Sequence, residues 1–457
     1  MAKFSTLQAL SRASREFKLQ PPHIESNMLV LQKDKFSKTL DLLGLSVPKG
    51  LCKKVKERYS SCFLSLPRVK SVVRDPHDAS RRILLFTPLL KEKSLNQLPE
   101  EVVSALLQFG DVVEHSVCLT FDYWQLDQIF KAILPFNPEL VTRSFETVGH
   151  IAHLNLRPSQ EKYKFVIAQV FLEKNSIIKT VVNKLKAINH TFRHFQMELL
   201  AGENNYITEV RENGSRFRFD YSQVYWNSRL QQEHQRIVNL YAPYKEKSST
   251  EDGHVICDVM AGVGPFSLPL AKRGLFVYCN DLNPQSYLWF LENIKLNKIN
   301  SDRIKIYNKD GRRFLKDLVQ IIDNDSTLPW FDVVLMNLPA SAVEVLDVFN
   351  GLYRNIKRTA VMPTIHCYCF HLDNEPVEHL FLKVKKHLGP TLKFDSVKFF
   401  QVRKVSPKKS MYCVSFKLPE DIGFGFFTPD YFQQNCLRHY LSENEGNCAE
   451  RQKKFKK

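Results

Sequence analysis

The chain has 457 residues, which is too many for one ordinary hydrophobic core, and its 44% hydrophobic and 12% aromatic content argues against wholesale disorder. Sixty-five basic against 48 acidic residues give a formal charge of +17. Such an excess is typical either of a protein with a polyanionic partner or of a generally basic surface, and composition leaves both open. Ten scattered cysteines without a C-x-x-C pair, and no apolar run near the roughly 20 residues of a membrane span, predict no metal module, no disulfide framework and no membrane segment.

The first 21 residues combine basic and apolar side chains at near-helical spacing. Their only acidic residue is Glu16. These features are typical of a mitochondrial presequence, and equally of a short amphipathic helix that opens a basic domain, so both interpretations of residues 1–21 stay open. The side chains concerned are Lys3, Phe4, Leu7, Leu10, Arg12, Arg15, Phe17 and Lys18.

Residues 22–138 are predicted to form a basic N-terminal domain. Up to about residue 140 the pattern is mixed helical and loop-like, with basic clusters such as Lys49–Arg58. Pro135 and Pro138 mark a boundary, because two prolines in four residues resist both a helix and a strand ladder.

A middle α+β domain is predicted over residues 139–244. Strand-like alternation runs from Phe145 to about Asp220, and its clearest cases are Tyr163–Phe171 and Arg216–Asp220. The second of these places phenylalanines on one face and charged residues on the other. The polar stretch Lys245–Gly253 is predicted to be a linker.

Residues 254–420 alternate between short apolar runs and helix-length segments, which predicts a parallel, doubly wound α/β sheet. Two later runs, Lys393–Val405 and Met411–Leu418, predict an antiparallel hairpin at a sheet edge. The stretch His366–Cys369 has metal-ligand residue types, but its alternating apolar surroundings favour packing residues of a strand. Residues 421–457 form a C-terminal segment with a basic tail. The predicted parallel strands are His254–Met260, Leu275–Cys279, Arg303–Tyr307 and Phe331–Met336.

The turn after the first parallel strand has the composition of a ligand site. Open α/β sheets bind ligands at the carboxyl ends of their strands. In Asp258–Pro265, Gly262 and Gly264 allow a ligand to approach the backbone closely. A dinucleotide fingerprint would have a third glycine near position 267, where Ser267 stands, so a nucleoside without phosphates is favoured.

Three further turns extend the pattern. Asp281 ends the second strand, where an acid accepts ribose hydroxyls, and Asn308–Gly311 suits the exocyclic amine of an adenine. Met336–Ala340 is the fourth turn. A single such turn is usually no more than a turn, but four in order on successive strands predict a class I methyltransferase domain with S-adenosylmethionine as its cofactor.

Six sequence blocks occur together between about residues 140 and 420. They are Val148–Leu156, Glu198–Glu203, Phe219–His234, Asp258–Pro265, Asn280–Pro284 and Asn337–Ala340. In these blocks the chain closely resembles the eukaryotic and archaeal family of tRNA (guanine-N1)-methyltransferases that modify position 37, beside the anticodon. The resemblance implies a class I, Rossmann-like methyltransferase domain preceded by α+β RNA-binding domains. Met260 departs mildly from the family, which frequently has an aromatic residue there.

The resemblance also implies roles for individual residues. Glu233 would be the general base that removes the N1 proton of guanine, and Arg193 would stabilise O6. Asn337 would help to position the guanine, with Tyr225 and Arg229 supporting the cofactor and the flipped base. The residues implied around the cofactor are His234, Asp281, Leu282, Asp310, Gly311, Asn337, Gly262, Gly264, Tyr225 and Arg229.

As partner the resemblance implies tRNA, contacted at the anticodon loop and, through residues 22–138, at its outer corner. Residues 139–244 would contribute catalytic residues. No membrane and no stable protein partner are implied, and the family's habit is one chain per tRNA, so a monomer is expected. The expected compartments are the mitochondrial matrix, the nucleus and the cytoplasm, and methylation of inosine at position 37 stays open.

Three rival functions deserve comparison with this expectation. An aminocarboxypropyl transferase of wybutosine synthesis would keep the fold and the cofactor, but the Asn337–Ala340 motif and an intact Glu233 favour methyl transfer. A non-catalytic tRNA-binding protein would have a decayed site, which the sequence does not show. A small-molecule methyltransferase is disfavoured by the charge of +17 and the long N-terminal extension.

Overall fold

A computed structural model describes most of the chain as two compact units. The first unit comprises Met1–Thr147, Ala152–Lys184 and Glu198–Asn204, and the second comprises Val148–Ile151, Leu185–Met197 and Asn205–Lys457. The residues that the structure describes are 10, 12–13, 17–24, 27–135, 145–188, 195–243 and 253–425. Most of the predicted linker Lys245–Gly253 and part of the predicted boundary Pro135–Pro138 lie outside these ranges, and the finer domain division stays a prediction.

The first unit contains an antiparallel four-stranded sheet and short helices. The strands are β1 (Lys38–Pro48), β2 (Val72–Arg74), β3 (Arg81–Leu85) and β4 (Asp111–Leu119). Their order is β2-β3-β1-β4. The helices are α1 (Cys52–Arg58), α2 (Glu100–Leu107), α3 (Leu126–Ile133) and α4 (Lys164–Lys174). Short 3-10 helices lie at Lys33–Phe36, Lys49–Leu51, Ser60–Cys62, Phe121–Tyr123 and Pro158–Tyr163.

This sheet corrects the expectation of a mixed helical and loop-like region up to residue 140. The long strand β1 pairs with β3 on one side and β4 on the other. Its residues from Leu42 to Val47 are all buried, so they form a continuous run instead of the period-two alternation that identifies a half-exposed strand. The central position of β1 therefore hid it from pattern analysis.

A second four-stranded sheet has the order β5-β6-β7-β8. Its strands are β5 (Phe145–Val148), β6 (Ile151–Leu154), β7 (Thr180–Ile188) and β8 (Phe195–Gly202). The prediction of a strand at Tyr163–Phe171 is wrong, because helix α4 occupies this stretch. Val166, Ile167, Val170 and Phe171 are fully buried, and their i, i+1, i+4, i+5 spacing is that of one helix face.

The longest stretch of the second unit, from Asn205 onward, starts with the hairpin of β9 (Ile207–Glu212) and β10 (Ser215–Asp220). The predicted face alternation in β10 is confirmed, since Phe217 and Phe219 are buried while Arg216 and Arg218 are exposed. A 3-10 turn, Ser228–Leu230, then leads into helix α5 (Gln231–Tyr241).

A seven-stranded sheet dominates the rest of the second unit. Its strands are β11 (Val255–Asp258), β12 (Phe276–Asn280), β13 (Ile304–Tyr307), β14 (Val333–Met336), β15 (Thr364–Leu372), β16 (Lys398–Ser406) and β17 (Lys409–Lys417). Their order is β13-β12-β11-β14-β15-β17-β16. The helices are α6 (Ser267–Lys272), α7 (Pro284–Leu296), α8 (Gly311–Asn324), α9 (Val377–Leu388) and α10 (Glu420–Phe424), and 3-10 turns lie at Ser301–Arg303, Ala342–Phe349 and Phe394–Ser396.

This topology confirms the predicted class I, Rossmann-like α/β domain. The strands from β11 to β15 pair in parallel, and β16 and β17 form the predicted antiparallel hairpin at the edge. The stretch His366–Cys369 lies within β15, buried among its neighbours, as the apolar pattern predicted. Between residues 253 and 425, the hydrophobic core packs helices such as α8 and α9 against the sheet.

Neither a membrane-spanning helix nor a metal-binding cluster is present among the described residues. No helix among them is both long enough and apolar enough to cross a lipid bilayer. No group of three or more histidine, cysteine or acidic side chains in these parts of the chain could hold a metal ion.

Candidate active site

The turns after β11, β12, β13 and β14 meet at one edge of the parallel sheet, because these four strands are neighbours running in the same direction. Backbone bonds join the turns to one another. The amide of Ala261 donates to the carbonyl of Asn280 at 2.8 Å, and that of Asp281 donates to Tyr307 at 3.3 Å. The structure therefore brings the four predicted ligand turns together.

The two glycines of the first turn have different surroundings. Gly262 has a φ of +56°, and a Cβ added there would meet nothing within 4 Å, so its backbone borders open space. Gly264 has a φ of +95°, and a Cβ there would lie 2.8 Å from the ring of Phe290 and 2.9 Å from Leu268. Gly262 suits close approach of a ligand, whereas Gly264 lets the turn pack onto α7.

Asp281 connects the first and second turns through its carboxylate. Oδ2 accepts the amide of Gly262 at 2.8 Å, and Oδ1 accepts the amide of Asn283 at 2.9 Å. Burial raises the pKa of Asp281, against the opposing effect of these bonds. The Ser286 side chain donates a further hydrogen bond to this carboxylate, so of its about four lone-pair positions one remains for a hydroxyl of a ribose. Leu282 beside it is half exposed and offers an apolar surface.

The third turn is braced by Asn280, to which sequence analysis assigned no role. Its side-chain amide donates to the carbonyls of Val259 at 3.1 Å and Lys309 at 2.9 Å, and its oxygen accepts the amide of Lys309 at 2.9 Å. Asp310 follows as the N-cap of α8, where Oδ1 accepts the amides of Arg312 and Arg313. The other carboxylate oxygen of Asp310 remains available to accept a hydrogen bond from the exocyclic amine of an adenine bound beside Gly311.

Asp258, which ends β11, is fully buried under the first turn. Ser267 donates to its Oδ2 at 2.6 Å, while Oδ1 has no hydrogen-bond partner among the described residues. Burial raises the pKa of Asp258 to about 7, and the bond from Ser267 opposes that rise only in part. The carboxyl group therefore binds its proton more tightly than an exposed aspartate does.

Replacing Asp258 by asparagine is expected to change how stability depends on pH. A raised pKa means that the folded state binds the proton more tightly, so this contribution is complete below about pH 4 and is lost as the pH rises through about 7. Over that window the wild type should lose up to about 4 kcal/mol of unfolding free energy relative to Asp258→Asn, which keeps the shape and the Ser267 bond. Urea titrations of both proteins from pH 4 to 8 measure this; a difference independent of pH would contradict it.

Glu233 is buried in the first turn of α5, with 4% of its surface exposed. Its Oε2 accepts Nε of Arg236 at 2.7 Å, and its Oε1 accepts Nη2 of the same guanidinium at 2.6 Å. The hydroxyl of Tyr368, from β15, also donates to Oε1 at 2.6 Å. The carboxylate is therefore held in place by a cation and a phenol, and it is a candidate base.

His234, the next residue, reaches the cofactor turns. Its Nδ1 lies 2.5 Å from Oε1 of the buried Glu212, and its ring packs edge-on against Phe266, with centroids 4.7 Å apart. Phe266 directly follows Pro265 of the first turn, and its ring centroid lies 6.0 Å from that of Tyr368. Phe266 thus connects the helix that carries the candidate base to the glycine-containing turn.

Asn337 follows β14 at the fourth turn. Its Oδ1 is buried and has no hydrogen-bond partner within the described ranges. A buried, unsatisfied acceptor is costly unless a ligand supplies the donor, so this atom is a candidate contact to an N–H group of a bound nucleoside or base.

Tyr225 and Arg229 lie at the surface of the segment that leads into α5. The hydroxyl of Tyr225 accepts the side-chain amide of Asn227 at 3.2 Å, and the oxygen of Asn227 accepts the amide of Arg229 at 3.1 Å. The predicted site residue Arg193 lies outside the described residues, so its placement stays a prediction.

Comparison with known proteins places this arrangement in a family. Residues 208–390 match the TRM5/TYW2 methyltransferase domain, and residues 126–205 match the TYW2 N-terminal domain. Three curated relatives are named tRNA (guanine(37)-N(1))-methyltransferase. They are proteins of Phytophthora infestans (42% identity; 86% of this chain, 93% of the relative), Batrachochytrium dendrobatidis (40%; 85% and 88%) and Homo sapiens (36%; 92% and 82%). The chain belongs to the tRNA (guanine(37)-N(1))-methyltransferase family.

Solved structures support the fold of this family member. A structure described as the complex of aTrm5 and tRNALeu has a TM-score of 0.58 at 22% identity, covering 82% of this chain and 100% of that one. Wild-type Trm5b from Pyrococcus abyssi gives a TM-score of 0.53 at 23% identity, covering 82% and 99%. At this level of identity the likeness concerns the fold.

Sequence analysis missed the residues that hold this methyltransferase site in shape. Besides Asn280, Asn293 of α7 accepts the amide of Arg218 at 2.7 Å, while its side-chain amide faces the carbonyl of Val263 at 3.4 Å. Arg236 and Tyr368 were given no part in the site either. A helix with Glu and Arg three residues apart carries a weak signal for Arg236, but Tyr368 is 135 residues from Glu233 and only the folded chain pairs them.

Proposed function

We propose that this chain transfers the methyl group of S-adenosylmethionine to N1 of guanosine at position 37 of tRNA. The buried carboxylate of Glu233 supports the proposal most directly. Tyr368, which donates to this carboxylate, and the neighbouring His234 both pack against Phe266, which directly follows the first ligand turn. Methylation at N1 of guanine needs a base, because N1 bears a proton in the keto form. The identity to relatives of that name over most of the chain supports the same reaction.

The cofactor supplies an electrophilic methyl group when it is bound. Asp281 would accept its ribose hydroxyls, Asp310 and the backbone at Gly311 would hold the adenine, and Gly262 leaves room for close approach. The fit rests on the remaining lone pair of Asp281 and on the open space at Gly262.

The protein's own part in the reaction is proton removal and alignment. Glu233 would take the N1 proton of the guanine, Arg193 would face the charge that grows on O6, and the unsatisfied Oδ1 of Asn337 would accept an N–H group of the base. Tyr225 and Arg229 would support the guanine once it has left the stack of the anticodon loop.

The test of this function is an incubation of the purified protein with unmodified guanosine-37 tRNA and methyl-labelled cofactor. We expect stoichiometric label in 1-methylguanosine after nuclease digestion, and a tRNA with adenosine at position 37 serves as the control. Inosine-37 tRNA in the same assay decides whether that base is also accepted. Absence of label in the guanosine-37 tRNA would contradict the proposal.

An aminocarboxypropyl transferase is the second candidate, because residues 126–205 match a TYW2 N-terminal domain. The curated relatives over most of the chain favour methyl transfer. A parallel reaction with label in the carboxypropyl carbons of the cofactor separates the two, since only one of the labelled groups can appear in the tRNA.

For the partner we propose contact with the anticodon loop through the methyltransferase domain and with the outer corner of the tRNA through residues 22–138. The charge of +17 supports a phosphate-rich ligand. Binding should weaken steeply with salt, with a log–log slope that counts the neutralised phosphates. A slope near zero between 50 and 200 mM salt would contradict it.

We also propose that the protein acts as a monomer in the mitochondrial matrix, the nucleus and the cytoplasm. The basic and apolar residues 1–21, with Glu16 as their only acid, support a mitochondrial pool. Fluorescent fusions with and without residues 1–21 test the localisation, and sedimentation of the protein with and without tRNA tests the monomer.

A further inference from the structure

The carboxylate of Glu233 is held by more donors than a general base needs. Arg236 approaches it with two nitrogens in a fork, and Tyr368 adds a third hydrogen bond. The three bonds are 2.6 to 2.7 Å long, and the glutamate side chain is 3% exposed. The side chain is therefore fixed in orientation, which an isolated glutamate on a helix would not be.

The two oxygens of this carboxylate are not equivalent. A carboxylate has about four lone-pair positions, two on each oxygen. Oε1 uses both of its positions, one for Nη2 of Arg236 and one for the hydroxyl of Tyr368. Oε2 uses one, for Nε of Arg236, and no second donor reaches it from residues 195–243 or 253–425. One acceptor position, on Oε2, remains for a substrate proton.

The donors are themselves held by other elements. The guanidinium of Arg236 lies over the ring of Phe400, from β16, at 4.1 Å from its centroid. Tyr368 is fully buried in β15, opposite Cys413 in β17. Burial raises the pKa of Tyr368 well above its ordinary value, so its hydroxyl keeps the proton that it donates. Two strands and one helix thus fix the direction of a single lone pair.

We propose that Arg236 and Tyr368 form a clamp that directs the free lone pair of Glu233 Oε2 at the N1 proton of guanine. This inference rests on the proposed function. In the step, the N1–H bond breaks and an Oε2–H bond forms. The electron pair stays on N1 and makes the new bond to the methyl group, while the bond between that methyl group and the sulfonium sulfur breaks and leaves its electron pair on the neutral thioether. Arg236 and Tyr368 are positioning residues: they act through Glu233 and do not touch the substrate.

The experiment is kinetic, with Tyr368→Phe as the first variant. The ring and its packing remain, and one hydroxyl is lost. We expect kcat to fall about ten- to hundredfold with little change in KM for tRNA, because the lost bond orients the base and does not bind the substrate. Tyr278→Phe, in β12, is the matched control, because it also removes a tyrosine hydroxyl that donates a hydrogen bond, here to the carbonyl of Pro329 at 2.9 Å. The kcat of this control should stay within about twofold of wild type.

Arg236→Lys tests the other half of the clamp. Lysine keeps the charge but lacks the planar fork of two donors, so kcat should fall about tenfold. Arg216→Lys is the control, because it breaks a similar fork to Glu209, and it should leave kcat unchanged. In a Glu233→Gln background, Tyr368→Phe should reduce the residual rate by less than about threefold, because the residue acts through the carboxylate.

These outcomes separate the two proposals. Full additivity in the Glu233→Gln background would overturn the clamp and leave the proposed function intact. A wild-type protein that methylated no guanosine at position 37 would overturn the proposed function and, with it, the assigned proton. If Tyr368→Phe proves unstable at the assay temperature, the Arg236→Lys and Arg216→Lys pair decides the clamp by the same comparison of kcat with KM.

Discussion

Replacement of Glu233 by glutamine should reduce methyl transfer by about a hundred- to ten-thousandfold. Glutamine has nearly the same shape but cannot accept the N1 proton, and general-base contributions have this size. Cofactor and tRNA affinities should remain within a few-fold of wild type, because the carboxylate does not contact the predicted cofactor turns. Single-turnover transfer of labelled methyl groups to guanosine-37 tRNA, with both binding constants measured separately, checks the result.

A matched control is available in the same unit. Glu209 is also held by an arginine fork, with Nε and Nη2 of Arg216 at 2.7 and 2.9 Å, but it lies in the hairpin of β9 and β10. Glu209→Gln should leave turnover unchanged. If both substitutions lowered the rate equally, or if Glu233→Gln retained wild-type turnover, Glu233 would not be the base.

Replacement of Asp281 by alanine should weaken S-adenosylmethionine binding by about ten- to hundredfold. The change removes the acceptor for ribose hydroxyls and also releases the amides of Gly262 and Asn283, which shape the first and second turns. Hydrogen bonds to a charged acceptor contribute about 1.5–3 kcal/mol, and about 1.4 kcal/mol is a factor of ten in affinity. Equilibrium dialysis or calorimetry with the cofactor measures the effect directly.

Asp325→Ala is the corresponding control for Asp281. Asp325 also organises a turn after a strand and a helix. Its Oδ1 accepts hydrogen bonds from the backbone amide of Thr327 at 2.9 Å and from the hydroxyl of Thr327 at 2.6 Å. It follows the far end of α8, so its loss should not change cofactor affinity. An unchanged affinity for Asp281→Ala would remove this residue from the cofactor site.

The parallel sheet could be predicted because apolar strand-length runs and helix-length segments alternate regularly along its sequence. Each strand from β11 to β14 is a short apolar run that ends in a polar turn, and helix-length segments separate the runs. Parallel sheets require such crossovers, so the pattern specifies the topology with few alternatives. The edge hairpin of β16 and β17 followed from its alternation, although the structure starts β16 at Lys398 and forms a 3-10 turn at Phe394–Ser396.

The first unit was harder to predict for the opposite reason. Strand β1 is buried on both faces from Leu42 to Val47, so its apolar residues show no alternation. The fully buried residues of helix α4 lie on one face, but the apolar Phe165 is 50% exposed, so the sequence has a nearly continuous apolar run. Burial on both faces hid the strand, and an apolar residue on the exposed face hid the helix.

The individual site residues also differ in whether the sequence alone could identify them. Gly262, Asp281 and Asp310 could be selected from the sequence, because their position at a strand end already implies the edge of the sheet. Glu233 was assigned through family resemblance and the need for a base. Nothing local to Tyr368 indicates a partner in α5, and the same holds for Asn280 and its bonds across to Lys309.

By itself the sequence determined the Rossmann-like domain, the cofactor class, the family and the residue types that the reaction needs. Spacing along the chain is sufficient for the domain and its cofactor class, since they depend on local periodicity and on strand ends, whereas the family and the reacting residues were implied by resemblance in six sequence blocks. Only the tertiary structure decided which way the base points. Arg236, Tyr368 and Phe400 come from α5, β15 and β16, and the direction of the remaining lone pair on Glu233 Oε2 is set by contacts between segments more than 100 residues apart.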